Sequence, residues 1–104
     1  MTRLAITSMY ANPIHPGHIE CLDLSLEHAD ELWVIVNNDR QAEMKRGVRS
    51  FQDENFRVAV VGALKSVSRV FLSIDQDGSV CESLKMVISE AKKSGKYSEI
   101  IFTK

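Results

Sequence analysis

The sequence predicts an α/β domain, a doubly wound parallel sheet of at least four strands. Three observations carry that prediction. Strand-like apolar runs alternate with stretches of helical apolar spacing along all 104 residues, the order that gives a parallel sheet joined by right-handed crossovers. The second run, residues 31–37, is nearly continuously apolar, as expected of a strand covered on both faces. The leading run gives way to His15-Pro16-Gly17-His18 where a helix begins, and ligands of open parallel sheets bind beyond the carboxyl ends of the strands.

Each element follows from its own residues. Residues 3–8 (Arg3-Leu4-Ala5-Ile6-Thr7-Ser8) read as a short buried strand, broken by Asn12-Pro13. Pro16 suits a first helical turn, where its missing N–H costs nothing. Ile19, Leu22, Leu26 and Ala29 then share one helical face. Residues 31–37 form the second strand, with Trp33 packed inside it. Residues 38–50 are polar and basic around Gly47 and read as a loop with at most one helical turn. A second helix is expected over 53–66, with a stripe of Phe56, Val60, Ala63, Leu64 and Val67. Residues 69–74 give a third strand, and Asp75-Gln76-Asp77-Gly78 a turn. Ser79 with Glu82 fits a capping box for a third helix, whose face is Leu84, Val87, Ile88 and Ala91 and whose stop is Gly95. Residues 98–103 complete a fourth strand. Because the chain stops at Lys104 directly after it, a C-terminally truncated chain or an unusually minimal domain is expected.

Composition narrows the function. With 44% hydrophobic and 26% charged residues the chain is an ordinary globular domain, and one domain, 1–104, is expected from its length. A net charge of −1 with scattered Lys and Arg argues against nucleic-acid or membrane partners. The N-terminus runs straight into a strand, so no signal peptide is expected. Cys21 and Cys81 are too few for a disulfide framework and read as packed thiols on helices. A cytoplasmic enzyme or binding domain is the expectation.

The histidine junction points to phosphate chemistry. A helix start offers unpaired N–H groups and the positive end of the helix dipole. Gly17 lets a ligand approach the backbone. His15 and His18, three residues apart, can point to one side and grip the phosphates of a nucleoside triphosphate. A zinc set built from His15, His18 and Cys21 or His28 lacks a second paired-ligand motif. Asp39, at the end of the second strand, is placed either to touch substrate or to serve a turn or cap.

These residues resemble the HxGH signature of the nucleotidylyltransferase superfamily. Val36-Asn37-Asn38-Asp39 looks like that family's second strand end, Lys45-Arg46-Gly47 like its lysine-containing loop, and Glu54-Asn55-Phe56-Arg57 like its E-x-x-R helix start. Residues 73–80 and 100–104 look most like the glycerol-3-phosphate cytidylyltransferase branch and its sugar-phosphate relatives. The resemblance implies a Rossmann-like fold and transfer of CMP from CTP to a small phosphorylated polyol or sugar, with Mg²⁺ accompanying the triphosphate and pyrophosphate leaving. Adenylyl transfer from ATP, or a nucleotide-binding or assembly module without catalysis, remain as alternatives.

By the same resemblance His15, His18 and Lys45 would hold the triphosphate and stabilise the transition state. Ser8, Met9, Tyr10, Asn12, Gly17 and Arg57 would line the nucleotide, although Arg57 also suits a structural ion pair. Met9 and Ala11 stand at the family's usual glycine and aromatic positions, and Asn12 replaces the aspartate of the cytidylyltransferase branch. A glycine-rich acidic segment and a Ser/Thr-rich motif of the family would lie beyond Lys104. Relatives of this kind are often homodimers, and a small sheet has open edges to protect, so a homodimer is expected.

Overall fold

The computed structural model describes residues 2–11, 15–47, 53–77 and 79–103, the Arg46 side chain excepted. Four strands, β1 (Arg3–Met9), β2 (Glu31–Val36), β3 (Arg69–Leu72) and β4 (Glu99–Phe102), form one parallel sheet in the order β3-β2-β1-β4. The chain steps outward from β1 through β2 to β3 and then returns to the other side of β1. The reversal therefore falls at β1, whose carboxyl end leads into the histidine turn, as a central first strand requires.

Alternation along the strands divides the core in two. Ala5, Leu32, Val34 and Val36 face one side with Leu22 of α1 (Pro16–Glu27) and Val61 of α3 (Glu54–Gly62). Leu4, Ile6, Trp33 and Ile35 face the other with Val87 and Ala91 of α4 (Cys81–Ser94). Trp33 is buried there against Phe71 (ring centroids 5.4 Å apart) and edge-on to Tyr97 (5.6 Å), with the Arg69 guanidinium 4.8 Å over its ring. Among the described residues, no helix is long and apolar enough to cross a membrane.

Several local expectations change. Residues expected as a loop contain a two-turn helix, α2 (Asp39–Arg46). It has no apolar stripe to betray it, but it consists largely of strong helix formers. Asn38 and Gln41 cap its start reciprocally and Gly47, at φ 74°, ends it. Helix α3 stops at Gly62 and turns Phe56 outward, 52% exposed, while Arg57 and Val61 face the core. A charged residue on the inward face is what the apolar count missed. Ile19 of α1 is likewise exposed, at 41%, and Leu22 and Ser25 are the buried pair, Ser25 Oγ lying 3.0 Å from Thr103 Oγ1.

Helix α4 is not capped by Ser79 with Glu82. Its N-cap is Val80, which makes no side-chain bond. Ser79 donates instead to Asp77 Oδ1 (N at 2.9 Å, Oγ at 2.6 Å), and the buried Asp75 carboxylate accepts from the N–H groups of Glu82 and Ser83, both at 2.9 Å. The stripe of α4 is as expected, with Val87 and Ala91 buried, Leu84 and Ile88 packed against them, and Gly95 ending the helix at φ 66°. Cys81, expected to be packed, is exposed at the first turn of α4, and Cys21 is half-buried.

Candidate active site

The two histidines form a reciprocal cap at the start of α1. Gly17 N donates to His15 Nδ1 at 3.0 Å, and His15 N donates to His18 Nδ1 at 3.1 Å, leaving the ring centroids 4.0 Å apart. A neutral imidazole that accepts on Nδ1 carries its proton on Nε2. Each ring therefore has one N–H donor, at the nitrogen turned away from its capping bond. Burial, and secondarily the neighbouring His15 ring, hold His18 below the ordinary histidine value, which favours this neutral form.

The turn satisfies its own amides. Besides the Gly17 bond, His18 N and Ile19 N both reach His15 O, at 2.9 and 3.4 Å, and Pro16 has no N–H. Free backbone N–H groups, expected to greet a phosphate here, are thus occupied within the turn, which leaves the imidazole Nε2–H groups and the helix dipole as its positive features. The role expected of Gly17 also shifts. A Cβ at Gly17 would lie 2.8 Å from His15 Cε1 and 3.0 Å from its Nδ1, so the missing side chain makes room for the His15 ring itself.

The other expected residues gather around the ends of β1 and β2. Ser8 and Met9 pair with Ile35 and Val36, and the Met9 side chain packs into the core beneath α1 and α3. Tyr10 follows β1, and Lys45, on α2 rather than in a loop, places its Nζ 4.4 Å from the Tyr10 ring centroid. Arg57 is fully buried. Its Nη1 donates to Tyr10 O (2.8 Å) and Asn37 O (2.7 Å), and its Nη2 to Asp39 Oδ1 (2.9 Å). It ties together the two strand ends that would carry the nucleotide, which matches the ion-pair reading more closely than direct contact. Asp39 keeps 41% of its side chain exposed in that pair. Ala11 is buried at φ 50°, a left-handed conformation costly for a residue with a Cβ. Asn12 lies outside the described residues, as does Gly78.

A second polar group beside these was not anticipated. Asn38 Nδ2 donates to Ser73 O (3.1 Å) and Asp75 O (2.9 Å). Gln41 Nε2 donates to Asp77 O (2.8 Å) and Ser79 O (2.7 Å). Ser83 Oγ donates to Asp75 Oδ1 and accepts from Ile74 N at 2.8 Å. Burial would raise the Asp75 carboxyl, but donors on Ser83, Glu82 N and Ser73 outweigh it and hold it below the ordinary carboxylate value. The one signal in the sequence was Asn38 three residues before Gln41, a cap pairing at the head of a polar segment.

Comparison with known proteins places the chain in a family. Residues 10–102 match the family described as cytidylyltransferase-like. The chain belongs to that family. The cytidylyltransferase-like proteins are part of the HxGH nucleotidylyltransferase superfamily, whose members transfer nucleotidyl groups. The chain is 31% identical over 94 residues to the bifunctional protein HldE of Azorhizobium caulinodans, a match covering 89% of this chain and 19% of that protein. It is 40% identical over 65 residues to the HldE of Gluconobacter oxydans, covering 62% of this chain and 13% of that protein. It is 39% identical over 77 residues to the FAD synthase of Thermoplasma acidophilum, covering 74% of this chain and 53% of that protein. The chain thus spans about half or less of the length of these relatives. The crystal structure of the lipopolysaccharide core biosynthesis protein from Thermoplasma volcanium GSS1 shares the fold, with a TM-score of 0.72 over 100% of this chain and 98% of that one, at 24% identity.

Proposed function

We propose that this cytidylyltransferase-like chain transfers a nucleotidyl group from a nucleoside triphosphate to the phosphate of a small acceptor, releasing pyrophosphate. The observation that carries the reading is the paired cap at the sheet's reversal point, where His15 and His18 each engage Nδ1 and keep a donor on Nε2. An acceptor phosphate oxygen attacks the α-phosphorus, and the bond from that phosphorus to the bridging oxygen of pyrophosphate breaks. A phosphate monoester has its second pKa at ~6, so the nucleophile is already largely dianionic near neutrality and needs no general base. The catalytic task is then positioning and stabilisation of the charge that develops on the triphosphate oxygens. The two imidazole N–H groups and the Lys45 ammonium supply donors and charge for it. A divalent cation travelling with the triphosphate would neutralise part of that charge, and hard cations take oxygen ligands and retain waters, so the phosphate oxygens are the donors suited to it.

The family description favours CTP as the donor, and a small phosphorylated polyol or sugar is the acceptor proposed with it. The likeness to FAD synthases, 36–39% identical over 74% of this chain, favours ATP as an alternative donor, because the product in their name carries an adenine nucleotide. Pyrophosphate release from CTP and from ATP, each with a panel of polyol phosphates, sugar phosphates and FMN, tests the proposal. Turnover is expected with one donor, and His18→Ala is expected to lower it about 10²–10³-fold, the usual effect of removing a transition-state donor. If nucleotides bind but no acceptor releases pyrophosphate, the chain is a nucleotide-binding module and the proposal fails.

A further inference from the structure

Helix α2 is held to the domain by few apolar contacts. Of its described side chains, Gln41 and Ala42 alone are fully buried, and its outer face carries exposed Arg40, Glu43 and Met44. A helix so polar has little hydrophobic reason to keep a fixed position. Its anchor is instead the Gln41 amide, which has two donors and an acceptor with two lone pairs. The fold engages all four. Nε2 donates to Asp77 O and Ser79 O at 2.8 and 2.7 Å, while Oε1 accepts from Asn37 Nδ2 at 3.2 Å and from Asn38 N at 3.0 Å. One side chain thereby joins the end of β2, the start of α2 and the connection from β3 to α4. Lys45 lies four residues further along α2, one turn above Gln41 on the same side of the helix, with its ammonium 4.4 Å from the Tyr10 ring centroid.

We infer that Gln41 is a positioning residue for Lys45: by clamping the first turn of α2 it sets the height and rotation at which the ammonium meets Tyr10 at the nucleotide end of β1. The part Lys45 then plays in transfer rests on the function proposed above; the clamp itself does not.

Two measurements separate these. In protein carrying ¹³C at the lysine ε-carbons, the Lys45 ε-methylene signals, identified by their loss in Lys45→Arg, are expected to be shifted upfield by the Tyr10 ring. Gln41→Met is expected to return them to the position of exposed lysines while the thermal unfolding transition persists. If Gln41→Met does not fold, Gln41→Glu, which is isosteric but cannot donate to the two carbonyls when ionised, carries the same test. Wild-type Lys45 signals already at the exposed position, or signals unmoved in the folded variant, overturn the inference. In turnover, Gln41→Met is expected to lower kcat about 10-fold or more, as small misplacements do, with little change in KM. Combined with Lys45→Ala it should add no further loss, since both variants take the ammonium away from Tyr10. Full additivity would mark a merely structural role and overturn the inference. Absence of turnover in the wild type, with the NMR shifts behaving as stated, would remove the proposed function and leave the clamp standing.

Discussion

The histidine turn and the polar group at the ends of β2 and β3 lie at the same carboxyl end of the sheet, yet they are built in opposite ways. The turn is local and exposed: its bonds join residues two and three positions apart. The other group is buried and long-range. Arg57 reaches Tyr10 across 47 positions, Gln41 reaches Asp77 across 36, and Asp75 is bonded by Ser83 eight positions on. Under the proposed function, the difference separates chemistry from support. Groups that must meet a ligand stay near water and are oriented by their immediate neighbours. Groups that hold that end in shape are buried, and their polar atoms are satisfied by distant partners because unpaired ones would be costly.

That contrast fails if the buried group can be cut without loss of stability. Arg57→Met gives the largest expected effect. It leaves Tyr10 O and Asn37 O without their donor and Asp39 without its cation, at a cost of about 3 kcal/mol in urea unfolding. A loss below about 1 kcal/mol would mean that the strand ends do not depend on the guanidinium. Asp75→Asn comes next, at about 2 kcal/mol, because a carboxylate accepting two backbone N–H groups is replaced by an amide that must turn its own donors toward one of them. Its pH dependence sharpens the point. The Asp75 carboxyl is held below its ordinary value in the fold, so its contribution is present above the unfolded-state pKa of about 3.9 and is lost as pH falls through the lower native value. The variant should lack that acid-limb loss when unfolding is followed between about pH 5 and pH 2.

The smallest effect belongs to the turn. With His18 held below the ordinary histidine value, the unfolded chain takes up this proton first. The contribution of His18 is therefore complete above about pH 6.5 and declines as pH falls from there through the native value. NMR titration of the ring should give a midpoint below 6.5 and, at neutral pH, the tautomer protonated on Nε2. A midpoint above 6.5, or the Nδ1–H tautomer, would contradict the reciprocal cap. His15→Ala should cost about 1 kcal/mol, the ordinary worth of an N-cap, far less than Arg57→Met.

The same division explains what could be read from the sequence. The strand–helix alternation, the stripe of α4, the stop at Gly95 and the histidine turn were legible because each is encoded within one segment. Helix α2 was not, since its signals are its caps and its composition rather than an apolar face. Arg57 was legible as a choice between two roles, and only the fold brought Tyr10 O and Asn37 O to its guanidinium. Ser79 with Glu82 is the local cap pattern of α4, whereas the acceptor is Asp75, outside the helix and across a turn. Periodicity also misjudged Phe56 and Ile19, since it counts apolarity and cannot see that Arg57, beside Phe56, finds carbonyl acceptors in the core or that Ser25 turns inward with Leu22.

The stack of Arg69 over Trp33 has a practical consequence. Trp33 is the sole tryptophan of the chain, and it lies under the α4 face of the sheet, while the helix that begins at the two histidines packs on the opposite face. Its fluorescence is thus an optical gauge of whether the sheet is intact. Loss of its emission maximum from the buried range records collapse of the whole scaffold, while a variant that only blunts the histidines leaves the spectrum in place.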